Sequence, residues 1–146
     1  MNIEDLISKS LSSFDTYYAL KNINSSKILV LKLQNKEVGF AELKRRGKIG
    51  VIFYIGILPE YRGKGLGKTL VTRAEEYFKD KGATLVIAST RSWNIPAVKM
   101  FKSLGYKVMK KEKVKASIIE LLDAYEDDLV VCKEIGEGSC EEIKRR

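Results

Sequence analysis

The sequence predicts an α/β (α+β) fold in which a mixed, mostly antiparallel sheet contains one parallel strand–helix–strand unit and has helices on both faces. An apolar run, Val51–Leu58, leads through a glycine-rich loop into an amphipathic helix ending near Lys81, and a second apolar strand, Thr84–Ser89, follows. A strand–helix–strand connection of this length implies parallel strands. Short turns join the remaining strands, which favours antiparallel pairing.

Two short helices and a hairpin are predicted before this unit. Apolar residues at helical spacing from Ile3 to Phe14 indicate the first helix, and Asp15 is the expected N-cap of the second. The β-rich runs Ile28–Leu33 and Val38–Leu43 flank a polar turn. This arrangement predicts an antiparallel hairpin that continues through a basic turn into the central strand.

The C-terminal part should contribute another helix and two further strands. The predicted elements are a helix Asn94–Leu104, a strand Tyr106–Val114, a weakly helical segment Lys115–Ala124 and a final strand Leu129–Cys132 antiparallel to its predecessor. Residues 136–146 are expected to form a flexible tail. The sequence therefore predicts a single domain, 1–135, followed by that tail.

Length and composition indicate a globular protein. A chain of 146 residues suits one hydrophobic core, and 45% apolar with 32% charged residues is ordinary for such a domain. The longest apolar runs are far shorter than the ~20 residues that span a bilayer. Early acidic residues and the lack of a leader pattern predict a cytoplasmic protein without membrane contact.

The formal charge of +8 favours anionic partners without choosing among them. Histidine is absent, so acid–base chemistry falls to carboxylates, tyrosine, cysteine, lysine or water. Cys132 and Cys140 lack CxxC spacing. We therefore expect neither a disulfide framework nor a metal site.

The loop after the central strand has the properties of an anion-binding turn. Glycine occupies every second position from 63 to 67, so the backbone can turn tightly and present its N–H groups. The same residues open a helix, where amides are unpaired and the dipole is positive. Arg62, Lys64 and Lys68 add positive charge. These features together favour a pyrophosphate ligand.

Two familiar phosphate motifs do not fit this loop. A P-loop requires glycine where Arg62 stands, and a dinucleotide fingerprint requires glycine where Lys68 stands. The alternative without a ligand is a glycine-rich turn with a solvated basic rim.

Two other signatures are present in the sequence. Arg62, Gly65 and Gly67 satisfy [Gln/Arg]-x-x-G-x-[Gly/Ala]. Farther along, the run from Asn94 to Tyr106 satisfies N-x-x-A-x-x-x-[Tyr/Phe]-x-x-x-G-[Phe/Tyr]. The two resemble the signatures of the GNAT acetyltransferases, in that family's order and separation, and the resemblance covers about 38–106.

The resemblance implies the GNAT acyl-CoA N-acyltransferase fold and transfer of an acetyl group from acetyl-CoA to a primary amine, by direct attack in a ternary complex. It also implies the cofactor-binding residues. Main-chain groups of Ile55, Gly56 and Ile57 would hold the pantetheine arm and polarise the thioester, Asn94 would bind the pantetheine region, and the pyrophosphate would lie on Arg62, Gly63, Lys64, Gly65, Leu66, Gly67 and Lys68.

At the positions where GNAT enzymes usually carry their acid and base, this sequence has residues that are unsuited to proton transfer. Phe101 stands where many relatives have a tyrosine, Ser89 where ribosomal-protein acetyltransferases have a glutamate, and Val51 at a third base position. The remaining catalytic candidates are Tyr54 and Glu42, acting through water, with the thiolate protonated by solvent. The alternative to a catalytic role is structural for both residues: Tyr54 would be a half-buried packing residue, and Glu42 would lie at a solvent-exposed (wet) strand end.

The sequence leaves the acceptor open, as a small-molecule amine, a lysine or a polypeptide N-terminus. Tyr17 or Tyr18, or Tyr125 with Glu112, could line its entrance. A non-catalytic acetyl-CoA sensor or degenerate GNAT domain is the alternative function, and a nucleic-acid-binding module rests on charge alone and is not favoured. The protein is expected to be a monomer or a homodimer.

Overall fold

The computed structural model describes all 146 residues as a six-stranded mixed sheet with five α-helices. The elements are α1 Ile3–Ser10, α2 Ser13–Lys21, β1 Lys27–Leu33, β2 Lys36–Arg46, β3 Ile49–Ile57, α3 Leu66–Asp80, β4 Leu85–Thr90, α4 Ile95–Ser103, β5 Lys107–Lys110, α5 Ala116–Leu122 and β6 Leu129–Glu134. The strand order is β1-β2-β3-β4-β6-β5, and the β3–β4 pair is parallel, so the predicted fold class is confirmed. Every helix is too short or too polar to traverse a bilayer.

The chain forms two compact units. The N-terminal unit contains Met1–Lys44 and Ile52–Glu76, and the C-terminal unit contains Arg45–Val51 and Tyr77–Arg146. The first residues of strand β3, up to Val51, therefore belong to the C-terminal unit, and its last six residues belong to the N-terminal unit.

The core of the N-terminal unit forms where α1 and α2 cover strand residues. Its buried members are Leu6, Ile7, Ala19, Phe40 and Leu58. Both helices begin with a side-chain cap, because Asn2 and Ser12 each accept a hydrogen bond from the amide three residues on, at 2.8 Å and 3.1 Å.

The N-cap of α2 is thus Ser12, and the prediction of Asp15 was wrong. The hydroxyl of Ser12 accepts from the Asp15 amide, while Asp15 lies in the first turn, where its charge favours the helix dipole. Phe14 consequently belongs to α2.

The predicted hairpin is strands β1 and β2, which pair antiparallel with Ile28 opposite Glu42. Its turn is shorter than expected. Gln34 and Asn35 adopt φ values of 49° and 65°, the left-handed conformation that a two-residue hairpin turn requires. The strand β2 therefore begins at Lys36, within the predicted turn.

The C-terminal unit is organised around β4. Its first residues, Leu85–Ile87, pair in parallel with Ile49–Val51 of β3, and its whole length pairs antiparallel with β6. Gly50 is required here because a Cβ atom would lie 2.6 Å from ring carbons of Phe78. Strand β5 pairs antiparallel with β6, as predicted.

Strand β5 is shorter than the predicted strand 106–114. It ends at Lys110, and a 3₁₀ turn, Lys111–Lys113, follows. The Lys111 amide donates to the Asp128 carbonyl at 2.9 Å and ends the ladder at that point.

The C-terminal residues are packed, in contrast to the predicted flexible tail. Cys140 and Ile143 are each 1% exposed, and Cys140 forms a disulfide with Cys132 of β6, so the prediction that the cysteines form no disulfide was wrong. The Lys115 amide donates to the Ile143 carbonyl at 2.9 Å. Disulfides are rare in reducing cytosol, so this bond does not follow from the predicted cytoplasmic location.

Replacing Cys140 with alanine should lower the free energy of unfolding by about 2 to 3 kcal/mol, because the disulfide closes a short loop of the unfolded chain. Urea unfolding without reductant measures this loss. Wild type in reductant is the matched control and should approach the variant. Equal stability of wild type with and without reductant would contradict the disulfide's role.

Candidate cofactor and active site

The glycine loop presents a row of free main-chain donors. The amides of residues 63–68 have no hydrogen-bond acceptor within the chain. Gly63 and Gly65 both have φ +77°, a conformation that side chains rarely adopt, and no atom lies within 4 Å of a Cβ built on either. Because α3 begins at Leu66, these donors coincide with the positive end of its dipole. The arrangement suits an anion.

Arg62 holds this loop in place and does not supply mobile charge. Its Nε donates to the Ile57 carbonyl at 3.0 Å and its Nη2 to the Ser10 carbonyl at 2.8 Å. The charge near the donors comes instead from Lys64, whose Nζ lies 5.5 Å from the Tyr61 ring centroid, and from the exposed Lys68.

The end of β3 lies directly against the end of α1. A Cβ at Gly56 would be 2.7 Å from the Ser10 Cβ, so glycine allows this close approach. The carbonyl of Ile57 is occupied by Arg62. Residues Ile52–Ile57 of β3 lie outside its ladder with β4, which ends at Val51.

Glu42 is 0% exposed, so its interpretation as a wet strand end was wrong. Side chains alternate along a strand, which places Glu42 on the same face of β2 as Phe40, a core residue. Neither carboxyl oxygen has a hydrogen-bond partner. Burial raises the pKa of Glu42 from 4.5 to about 7.

Two neighbours oppose this shift only in part. The Ser26 hydroxyl and the Lys44 charge both lower the pKa of Glu42. However, the Ser26 hydroxyl donates to the Asn22 carbonyl at 2.8 Å, and the Lys44 Nζ donates to the Asn22 Oδ1 at 2.7 Å. The carboxyl is therefore left as a buried, unpaired acid.

Tyr54 is half-buried against the core of the N-terminal unit, and its ring lies 4.9 Å from that of Phe53. The two catalytic candidates, the end of β3 and the glycine loop thus all belong to one unit.

Asn94 lies in the C-terminal unit as the N-cap of α4. Its Oδ1 accepts from the Ala97 amide at 3.3 Å. The side chain is exposed, so its NH₂ group remains the part that can donate to a ligand.

Sequence reasoning missed a carboxylate at the end of β4. The Ser89 hydroxyl donates to Asp127 Oδ2 at 2.7 Å, and Arg91 Nε lies 3.5 Å from Asp127 Oδ1. Hydrogen bonds from Ser92 to Asp128 hold the pKa of that neighbouring carboxyl below its usual range. The two adjacent aspartates directly before β6 are the signal that could have indicated this carboxylate. No group of three or more His, Cys, Asp or Glu side chains is arranged to hold a metal ion.

Comparison with solved structures shows the fold. A GNAT family acetyltransferase from Elizabethkingia anophelis with acetyl-CoA bound has a TM-score of 0.72 at 14% identity, covering 92% of this chain and 91% of that chain. The ribosomal-protein-S18-alanine N-acetyltransferase from Escherichia coli has a TM-score of 0.68 at 18% identity, covering 96% and 94%. The predicted GNAT fold is confirmed by these similarities.

Proteins with similar sequences match this chain over only part of their own length. A mycothiol acetyltransferase from Arthrobacter sp. (strain FB24) is 40% identical over 58 residues, which are 40% of this chain and 18% of that protein. An uncharacterized N-acetyltransferase from Methanocaldococcus jannaschii is 28% identical over 131 residues, covering 76% of this chain and 57% of that protein. The chain therefore spans less than two-thirds of the length of these relatives.

The profile of the Acetyltransferase (GNAT) family matches residues 2–106, which is most of the chain and includes both signatures. This chain therefore belongs to the GNAT acetyltransferase family.

Proposed function

We propose that the protein transfers an acetyl group from acetyl-CoA to a primary amine within a ternary complex. The observation that carries this proposal is the row of unpaired amides at residues 63–68, at the start of α3. In a member of an acetyltransferase family, a row of this kind fits the pyrophosphate of coenzyme A.

The remaining cofactor contacts are assigned by chemistry. The main-chain groups of Ile55, Gly56 and Ile57 would hold the pantetheine arm and polarise the thioester carbonyl, except that the Ile57 carbonyl is already used by Arg62. Asn94 would donate its NH₂ group to the pantetheine amides. Arg62 itself supports the loop and contacts no phosphate in this proposal.

The reaction needs a neutral amine. Its nitrogen attacks the thioester carbonyl carbon, the C–S bond breaks, and the nitrogen loses a proton as the amide forms. A lysine amine has a reference pKa near 10.4 and an α-amine near 8, so at neutral pH both require a proton acceptor to different degrees. We assign that role to Glu42 through a water relay with Tyr54, and solvent protonates the thiolate.

Glu42 is suited to this role because its pKa, raised by burial to about 7, matches the working pH. Most of the acceleration would still come from holding amine and thioester together. This explains how the chain could operate with Val51, Ser89 and Phe101 at the family's usual acid–base positions.

The acceptor in this proposal is a primary amine on a small molecule, on a lysine side chain or on a polypeptide N-terminus. This range of acceptors is supported by the names of similar proteins, because mycothiol acetyltransferases match the sequence and a ribosomal-protein-S18-alanine N-acetyltransferase matches the fold.

The test combines calorimetry with acetyl-CoA and a thiol-release assay over a panel of small amines, lysine peptides and peptide N-termini. We expect binding together with release of CoA that depends on the amine. Binding without turnover for every amine would favour an acetyl-CoA sensor. If Tyr54→Phe and Glu42→Gln both keep full turnover at saturating acetyl-CoA, neither residue is the base.

A further inference from the structure

The unpaired state of Glu42 is unexpected because a cation lies close to it along the same strand. Side chains two residues apart on a strand point to the same face, so Lys44 is a natural partner for Glu42. Buried carboxylates are ordinarily paired, yet both oxygens of this one lack a partner.

Lys44 is held elsewhere. Its Nζ donates to Asn22 Oδ1 at 2.7 Å and lies 4.3 Å from the centroid of the Phe53 ring. The ammonium is thus held by one hydrogen bond and one cation–π interaction.

Asn22 is in turn fixed at the end of α2. Its Nδ2 donates to the Tyr18 carbonyl at 2.9 Å, and its main-chain amide donates to the carbonyls of Ala19 and Leu20. These bonds orient the side chain so that its oxygen is available to Lys44.

We propose that Asn22 is a positioning residue that holds the Lys44 ammonium away from Glu42 and thereby keeps the carboxyl unpaired and available as a proton acceptor. This inference deepens the proposed function and rests on it for its catalytic consequence. Without Asn22, Lys44 would be free to pair with the unsatisfied Glu42 carboxyl, which lies two residues away on the same face of β2.

Pairing with Lys44 would weaken Glu42 as a base, because an adjacent cation stabilises the carboxylate and lowers its pKa. Lys44 is the charged group that already acts on this carboxyl. The other titratable side chains on β1, β3 and α2 are Lys27, Lys32, Tyr54, Asp15, Tyr17, Tyr18 and Lys21.

The experiment follows the Glu42 carboxyl directly by ¹³C NMR titration of the full chain, beside the pH profile of kcat/KM. Asn22→Leu should lower the titration midpoint of Glu42 by about one pH unit, as expected for a carboxyl that gains a cation. It should also reduce kcat roughly tenfold while leaving the KM for acetyl-CoA unchanged. Lys44→Met should move the midpoint in the opposite direction.

Asn24→Leu is the matched control, because Asn24 is an exposed asparagine two residues away. It should change neither the midpoint nor kcat. An unchanged Glu42 midpoint in Asn22→Leu would overturn the proposal. A wild-type midpoint at or below the ordinary value of 4.5 would show that the carboxyl is already paired, and would overturn the proposal even if Asn22→Leu fails to fold. If the midpoints move as expected but no amine is acetylated, the proposed function fails and the positioning of Lys44 stands.

Discussion

Replacing Glu42 with glutamine should raise the stability of the protein at pH 8.5 by about 3 kcal/mol and leave it nearly unchanged at pH 4. The pKa of the carboxyl rises from 4.5 to about 7 in the folded state. Each pKa unit corresponds to about 1.4 kcal/mol of free energy between the two protonation states. Because glutamine cannot ionise, the variant avoids the cost of a buried, unpaired carboxylate.

The sign of the pH dependence follows from the raised pKa. The folded state binds the Glu42 proton more tightly than the unfolded state does. The stability that this proton contributes is therefore fully present below pH 4.5 and is lost as the pH rises from 4.5 through 7. Urea unfolding of wild type and variant at several pH values measures the difference. Glu137→Gln removes an exposed carboxylate and is the matched control, with little expected change at any pH.

The same substitution should lower kcat by about 10²-fold or more, the usual contribution of a positioned general base. A gain in stability together with a loss of turnover is typical of a group kept for function at a cost to the fold. A variant that is neither more stable at pH 8.5 nor slower would show that the carboxyl is paired in solution and takes no part in the reaction.

The parallel unit and its loop could be predicted because their signals are local. The alternating glycines, the apolar stripe of α3 and Gly82 at its end all lie within one short stretch of sequence. Gly82 does adopt a left-handed φ of 83°, as a residue after a helix end commonly does.

The environment of Glu42 could not be predicted because it depends on contacts from distant segments. From sequence alone, a single carboxylate within an apolar strand is predicted to face solvent, because the sequence does not show which segments cover that strand. The same limit applies to Ser89, whose carboxylate partner, Asp127, lies on a segment 38 residues further along the chain. The pairing of Cys132 with Cys140 likewise depends on how the C-terminal segment packs.

Replacing both Gly63 and Gly65 with alanine should weaken the binding of CoA by roughly 30-fold to 1000-fold. Left-handed backbone costs a residue with a Cβ about 1 to 2 kcal/mol, and each 1.4 kcal/mol is tenfold in affinity. Because both positions have open space, the free variant can relax its loop without a steric clash. Binding must then restore the strained conformation, so the cost falls on affinity, and calorimetry with CoA measures it.

Gly47→Ala is the matched control for this experiment. Gly47 also has a positive φ, +56°, with no atom within 4 Å of a built Cβ, but it lies in the turn between β2 and β3. It places the same kind of left-handed residue away from the glycine loop and should keep the wild-type affinity for CoA. If the loop variants bound CoA as tightly as Gly47→Ala does, the pyrophosphate could not rest on the amides of residues 63–68, since those amides would have moved.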